Sequence, residues 1–241
     1  MSTYLIINIL VVIIPFLFSF DKKVAFFRIW KYFIPAMLIT GAGFILWDIL
    51  FTHIGVWGFN EVHLNGIKIV NLPMEEWLFF VTVPYAVVFT YRVLNVWLPM
   101  KKHPEMQRTI SYALIIVFAT ATVLYYDRIY SVVTFSLAAL FVLVTEWLLR
   151  TDYLLHFYRT YLIALLPFLI TNGILTGFGL DEPVVWYNDS MNSAIRIGTI
   201  PIEDVAYGFV LIGLNIALLE WFVPGTASTP KLSDTKKKKS H

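Results

Sequence analysis

The 241-residue chain contains no cysteine, which excludes disulfides, thiolate nucleophiles and cysteine-ligated metal clusters. Charge is scarce: 14% of residues are Asp, Glu, Lys or Arg, where a soluble domain carries about a quarter. A formal net charge of +2 gives nucleic acid little to hold, and the 17% aromatic content comes with no basic stripe. No Gly-rich dinucleotide fingerprint occurs, and His53, His63, His103 and His156 lack the spacing of a helical metal site. Neither a cofactor nor a metal is therefore expected. The last long apolar run, 201–222, has no lysine for a retinal Schiff base, and no Asp-x-x-x-Asp cluster exists to hold a magnesium diphosphate. The N-terminus has no basic region ahead of Tyr4–Phe20 and no small-residue cleavage site after it, so a retained first helix is expected.

What the chain has in abundance is hydrocarbon. It is 59% hydrophobic, with a mean hydropathy of +0.73. Apolar stretches long enough to span a bilayer fall at 2–20, 32–52, 73–91, 109–126, 129–149, 159–180 and 201–222. These predict an all-α, polytopic membrane protein of seven helices. Of the 18 Lys and Arg residues, only Lys68, Arg128 and Arg196 lie on one set of loops; the rest, from Lys22 through Arg159 to the tail lysines, lie on the other. The positive-inside rule then puts the N-terminus outside and the tail in the cytoplasm of a multi-pass cell-membrane protein. Residues 223–241 read as a disordered basic tail.

One phrase is written twice. Lys68 precedes Pro73-Met74-Glu75-Glu76 and Phe79; Arg196 precedes Pro201-Ile202-Glu203-Asp204 and Tyr207. A constant offset of 128 also maps Asn60 to Asn188 and Glu61 to Asp189, while the first and fifth helices agree poorly in side chains. The chain divides into a three-helix repeat at 1–91, a linker helix region at 92–128 and a second three-helix repeat at 129–222. Both copies enter the membrane in the same direction, and parallel repeats commonly build a site where they meet.

Carboxylates beside hydrocarbon are costly unless paired, protonated or functional. A proline followed by acids in the first turn is also ordinary helix-start chemistry, but that explains neither the doubled acid nor the preceding cation. Neighbours on a helix diverge by about 100°, so one acid of each pair is expected to face the interior while the other takes Lys68, Arg196 or water. Phe79 lies one turn from Glu75, and Tyr207 one turn from Glu203. Burial, cations and helix N–H groups separate carboxyl pKa values, which is how an acid and a base are assigned. Glu75, Glu76, Glu203 and Asp204 are the candidate catalytic groups.

The two motifs on a seven-helix chain resemble the membrane-integral lycopene cyclases, whose two three-helix halves occur as separate subunits or fused. The resemblance covers nearly all of 1–222; Tyr207 in place of Phe79 is a mild departure. It implies a cofactor-free isomerisation of lycopene end groups, with β-ionone rings as product. A carboxylic acid protonates the terminal double bond, the cation closes the ring, and a carboxylate recovers a proton. It also implies a lipid-soluble carotenoid substrate and contact with the bilayer and other carotenoid enzymes. The flavin of the unrelated soluble-type cyclases has no motif here.

Aromatic faces stabilise a carbocation, and Trp77, Phe79, Phe80, Trp186 and Tyr207 are candidates. Asp48 is the best fifth acid, or else a partner for Lys68 or Arg196. Asn60 and Asn188 sit beside the loop aromatics, and Asn172 and Asn188 could orient a carboxylate. Glu146 and Arg150 read as an i, i+4 ion pair. Two other readings use the same acids: a carotenoid hydratase, which captures the cation with water, and a proton-coupled transporter.

Overall fold

The computed structural model describes residues 2–223; apart from Val223, the expected basic tail lies outside the described residues. Seven α-helices run through it: α1 (Thr3–Phe18), α2 (Trp30–His53), α3 (Met74–Trp97), α4 (Pro104–Leu124), α5 (Ile129–Leu143), α6 (Leu154–Leu175) and α7 (Ile202–Phe222). Six, counting the short helical turns that extend α2 and α5, are long and apolar enough to cross a membrane. The protein is an all-α, multi-pass membrane protein. At 16 residues α1 is the one left out, spanning about 24 Å against a hydrocarbon core of about 30 Å. The sixth helix begins at Leu154 rather than 159 and stops at Leu175, where Gly177 (φ 109°) turns the chain in a conformation that favours glycine.

The helices interlock. α1 packs on α3 and α5 on α7, but α2 also crosses to α7 and α3 crosses to α6, while α3 and α7 touch each other. α3 and α7 thus occupy the centre, and α4 lies against α5. The interior holds two apolar clusters, and Trp47, Phe79 and Tyr207 pack against both.

Loop architecture repeats at the sequence offset. Strands β2 (Lys68–Ile69) and β3 (Leu72–Pro73) form a hairpin ahead of α3; β5 (Arg196–Ile197) and β6 (Ile200–Pro201) form its equivalent ahead of α7. Val70 (φ 61°) and Gly198 (φ 63°) make the same left-handed turn. The Met74 N–H donates to the Ile67 carbonyl as Ile202 does to Ile195. Strands β1 (Trp57–Phe59) and β4 (Val185–Tyr187) pair antiparallel with each other, Gly58 opposite Trp186. Gly58 admits no side chain: a Cβ would stand 2.3 Å from the Trp186 ring.

Glu146 and Arg150 do not form the expected pair. Residues Val144–Leu148 are π-helical, which breaks the i, i+4 geometry, and Arg150 takes a left-handed φ of 49°. Glu146 instead accepts from Gln107 (2.8 Å) and Ser111 (3.1 Å), with the Arg108 Nε at 4.0 Å.

Candidate active site

Both proline-led helices begin in the same way. Pro73 and Pro201 are extended N-cap residues with no side chain capping the helix, so the first-turn N–H groups are open and favour acids nearby. All four acids are buried: Glu75 0%, Glu76 7%, Glu203 0% and Asp204 5% exposed. This corrects the expectation that one acid of each pair meets a cation or water. Lys68 pairs with Glu61 (2.8 Å) and Arg196 with Asp189 (2.5 Å), both in the loops ahead of α3 and α7. The Lys68 ammonium, by hydrogen bond and charge, holds the exposed Glu61 carboxyl below its usual range.

The first acid of each pair is tied to its own loop. Glu75 Oε1 accepts from Ser2 Oγ (2.7 Å) and the Asn65 N–H (2.7 Å). Glu203 Oε1 accepts from Ser131 Oγ (2.5 Å) and the Ser193 N–H (2.7 Å). The other oxygen of each, Oε2, is buried without a protein partner. These are matched anchors fixing a loop to the top of a helix.

The second acids meet unlike surroundings. Asp204 Oδ1 accepts from Tyr130 (2.6 Å), and its Oδ2 accepts from Asn172 (2.8 Å) and Tyr187 (2.8 Å). Burial, with Asp204 beside it, keeps the Tyr187 phenol well above its ordinary pKa, so it remains a donor. Three donors converging on one carboxyl suit its charged form. Glu76 Oε2 accepts from Tyr4 (2.6 Å), and the Asp48 carboxyl lies beside its own. Asp48, 3% exposed, accepts in turn from Tyr207 (2.8 Å) across the α2–α7 contact. Two carboxyls side by side disfavour a second negative charge.

An aromatic wall closes around these groups. The Tyr207 ring lies 4.8 Å from Trp47 and 5.0 Å from Phe44, while Trp57 stands 5.1 Å from Tyr130. Tyr130 and Tyr187 stack at 6.1 Å. Phe79 packs at the same boundary. Trp186 does not reach the acids: strand alternation turns it outward, 44% exposed, and Tyr187 inward. Asn60 caps the turn at Val62 (3.1 Å) and donates to Glu182 (2.7 Å), and Asn188 accepts from Ser190 (3.0 Å), so both serve the loops.

A family model described as lycopene cyclase matches residues 1–94 and again 127–222. The chain belongs to the lycopene cyclase family. No curated protein and no solved structure matches it. The two matched segments take in α1–α3 and α5–α7 and leave most of α4 outside. Family membership gives the chain a cyclase role in carotenoid biosynthesis and a lipid-soluble substrate. The aromatic-walled, water-poor setting of the acids fits a hydrocarbon end group.

Sequence reasoning named the four acids, Asp48, Asn172 and Tyr207, but not Tyr4, Tyr130, Ser2, Ser131 or Tyr187. The donor tyrosines lie 126 apart and the serines 129 apart, so neither pair follows the offset of 128. The one signal of Ser2, Tyr4, Tyr130 and Ser131 was a polar residue at the start of an otherwise apolar helix, while Tyr187 lies in β4.

Proposed function

We propose that the chain is a lycopene β-cyclase that closes linear carotene ends by acid–base chemistry without redox change. The observation that carries this reading is the unlike setting of two buried carboxyls at the starts of α3 and α7, Glu76 beside the Asp48 carboxyl and Asp204 ringed by three donors. A proton from the carboxyl pair adds to the terminal double bond of the end group and leaves a tertiary cation. The next double bond attacks it, forming the ring carbon–carbon bond and moving the charge to a ring carbon. Asp204 takes the proton from the adjacent carbon, the ring double bond forms, and product and substrate are isomers. Positioned acids and bases of this kind contribute about 10² to 10⁴ in rate. Tyr207, Trp47 and Trp57 offer π-faces to the intermediate cation, and exclusion of water favours ring closure over hydration. The basic helix ends face the cytoplasm in this reading, the acids the outer side.

Expression in a lycopene-accumulating cell tests this by chromatography of the pigments. Conversion to β-ring carotenes is expected. Unchanged lycopene beside inserted protein, or hydroxylated acyclic products, would overturn it.

A further inference from the structure

Where α3 ends, the start of α4, the π-helical end of α5 and the start of α6 gather. Arg159 of α6 reaches back to the Leu98 carbonyl (2.6 Å) and to Asn95 (2.9 Å). α3 is 24 residues long, so this end lies about 36 Å from the acids at its start. It holds a cavity of about 560 Å³ between α4, the end of α5 and the loop 149–153, a size within the about 300–1,000 Å³ of small-molecule sites. The floor is polar and fixed. Buried Gln107 donates to Glu146 (2.8 Å) and to the Thr151 carbonyl (2.8 Å), and accepts from the Leu155 N–H (3.3 Å). Ser111, also buried, donates to Glu146 (3.1 Å) and stands 2.8 Å from the Tyr158 hydroxyl. Among the Lys, Arg, Asp and Glu side chains of the lining, three cations face two carboxylates: Lys102, Arg108 and Arg150 against Glu146 and Asp152. Asp152 takes Lys102. The arginines stay open. Among the described residues neither guanidinium makes a hydrogen bond, and the carboxylates nearest Arg108, on Glu105 and Glu146, stand 4.0 Å away. The π-turn that parts Arg150 from Glu146 leaves it exposed at the cavity.

One wall is apolar. Tyr112 and Trp147 line the cavity with rings 5.2 Å apart, both exposed, and Leu148 and Leu149 beside them are exposed as well. Guanidinium groups grip phosphate oxygens through two parallel hydrogen bonds, and Trp and Tyr sit at the headgroup level of a bilayer. A free anion would use the arginines and leave the aromatic face idle; a phosphate that carries acyl chains uses both. We propose that this cavity binds the headgroup phosphate of an anionic phospholipid, with Arg108 and Arg150 holding the phosphate and the Tyr112–Trp147 face lying along the acyl chains. Basic pockets between membrane helices take anionic headgroups in this way. Gln107, Arg108 and Tyr112 lie outside both segments that the family model matches, while Glu146, Trp147 and Arg150 lie inside the second. The site therefore arises where the linker helix meets the second half, and binding there is independent of the chemistry at the acids. A lipid held by α4 and by the loop after α5 ties the linker to the bundle and stabilises the folded chain in proportion to its occupancy.

The test follows the thermal midpoint of the delipidated full chain in neutral detergent during titration with dihexanoyl-phosphatidylglycerol, dihexanoyl-phosphatidylcholine or inorganic phosphate. Phosphatidylglycerol is expected to raise the midpoint saturably, and the other two to raise it less at equal concentration. In Arg108→Gln with Arg150→Gln, which keeps much of each side chain's length but not its charge, the concentration giving half the rise is expected to increase by about tenfold or more. Lys22→Gln with Lys23→Gln, which removes two cations outside the cavity, is expected to leave it within about twofold of wild type. An equal rise with phosphatidylcholine overturns the proposal, as does an unchanged midpoint or an arginine variant that titrates like wild type. Inorganic phosphate that matches phosphatidylglycerol assigns the cavity to a free anion and overturns the lipid. Should the double arginine variant fail to accumulate, Arg150→Gln alone decides, since no hydrogen bond or ion pair of that side chain occurs among the described residues: a shift of about threefold or more supports the site, and no shift overturns it.

Discussion

Asp204→Asn is expected to lower ring formation by at least about 10²-fold, with inserted protein at wild-type levels. The amide can turn its carbonyl toward Asn172 and Tyr187 and donate to the Tyr130 oxygen, so the cage survives. What it lacks is basicity. Glu76→Gln should fall as far for the opposite reason: the amide keeps an acceptor for Tyr4 but cannot release a proton to the polyene. Pigment chromatography together with membrane immunoblots checks both. Retained activity in either variant would assign its acid to packing.

Glu75→Ala and Glu203→Ala are expected to damage folding before chemistry. Each strands a buried serine hydroxyl and a loop N–H, and an unsatisfied buried group costs about 1–3 kcal/mol. A loss of about 2–6 kcal/mol is a large fraction of a typical protein's stability. It should show as a lower thermal midpoint in detergent and less inserted protein. The Gln variants keep an acceptor for both donors and should recover most of it. If Glu75→Gln or Glu203→Gln is as inactive as Glu76→Gln while fully folded, then the first acids too take part in the reaction.

The helices and the repeated acids were legible because both signals are local: apolar length, and a proline followed by two carboxylates. The partners of those acids were not, since they arrive from helices far away in sequence. Tyr4 and Tyr130 donate to corresponding acids from positions out of register by two residues, which a search at fixed offset passes over. The loop cations misled for a related reason. Lys68 and Arg196 stand near the acids in sequence, yet the hairpins hold them in the loops beside Glu61 and Asp189. In β4 the choice of Trp186 over Tyr187 was a choice of phase, and a period of two admits only one inward answer. The Glu146–Arg150 pairing failed where a π-turn altered the helix.

The proton transfer itself can be followed directly. Wild-type protein equilibrated in heavy water and held in molar excess over lycopene completes each ring with an enzyme-borne deuteron. Mass spectrometry of the extracted carotene is expected to show one non-exchangeable deuterium per ring and no other change in composition. Rings that close with no deuterium, or with loss of hydrogen, would contradict acid–base cyclisation at these carboxyls.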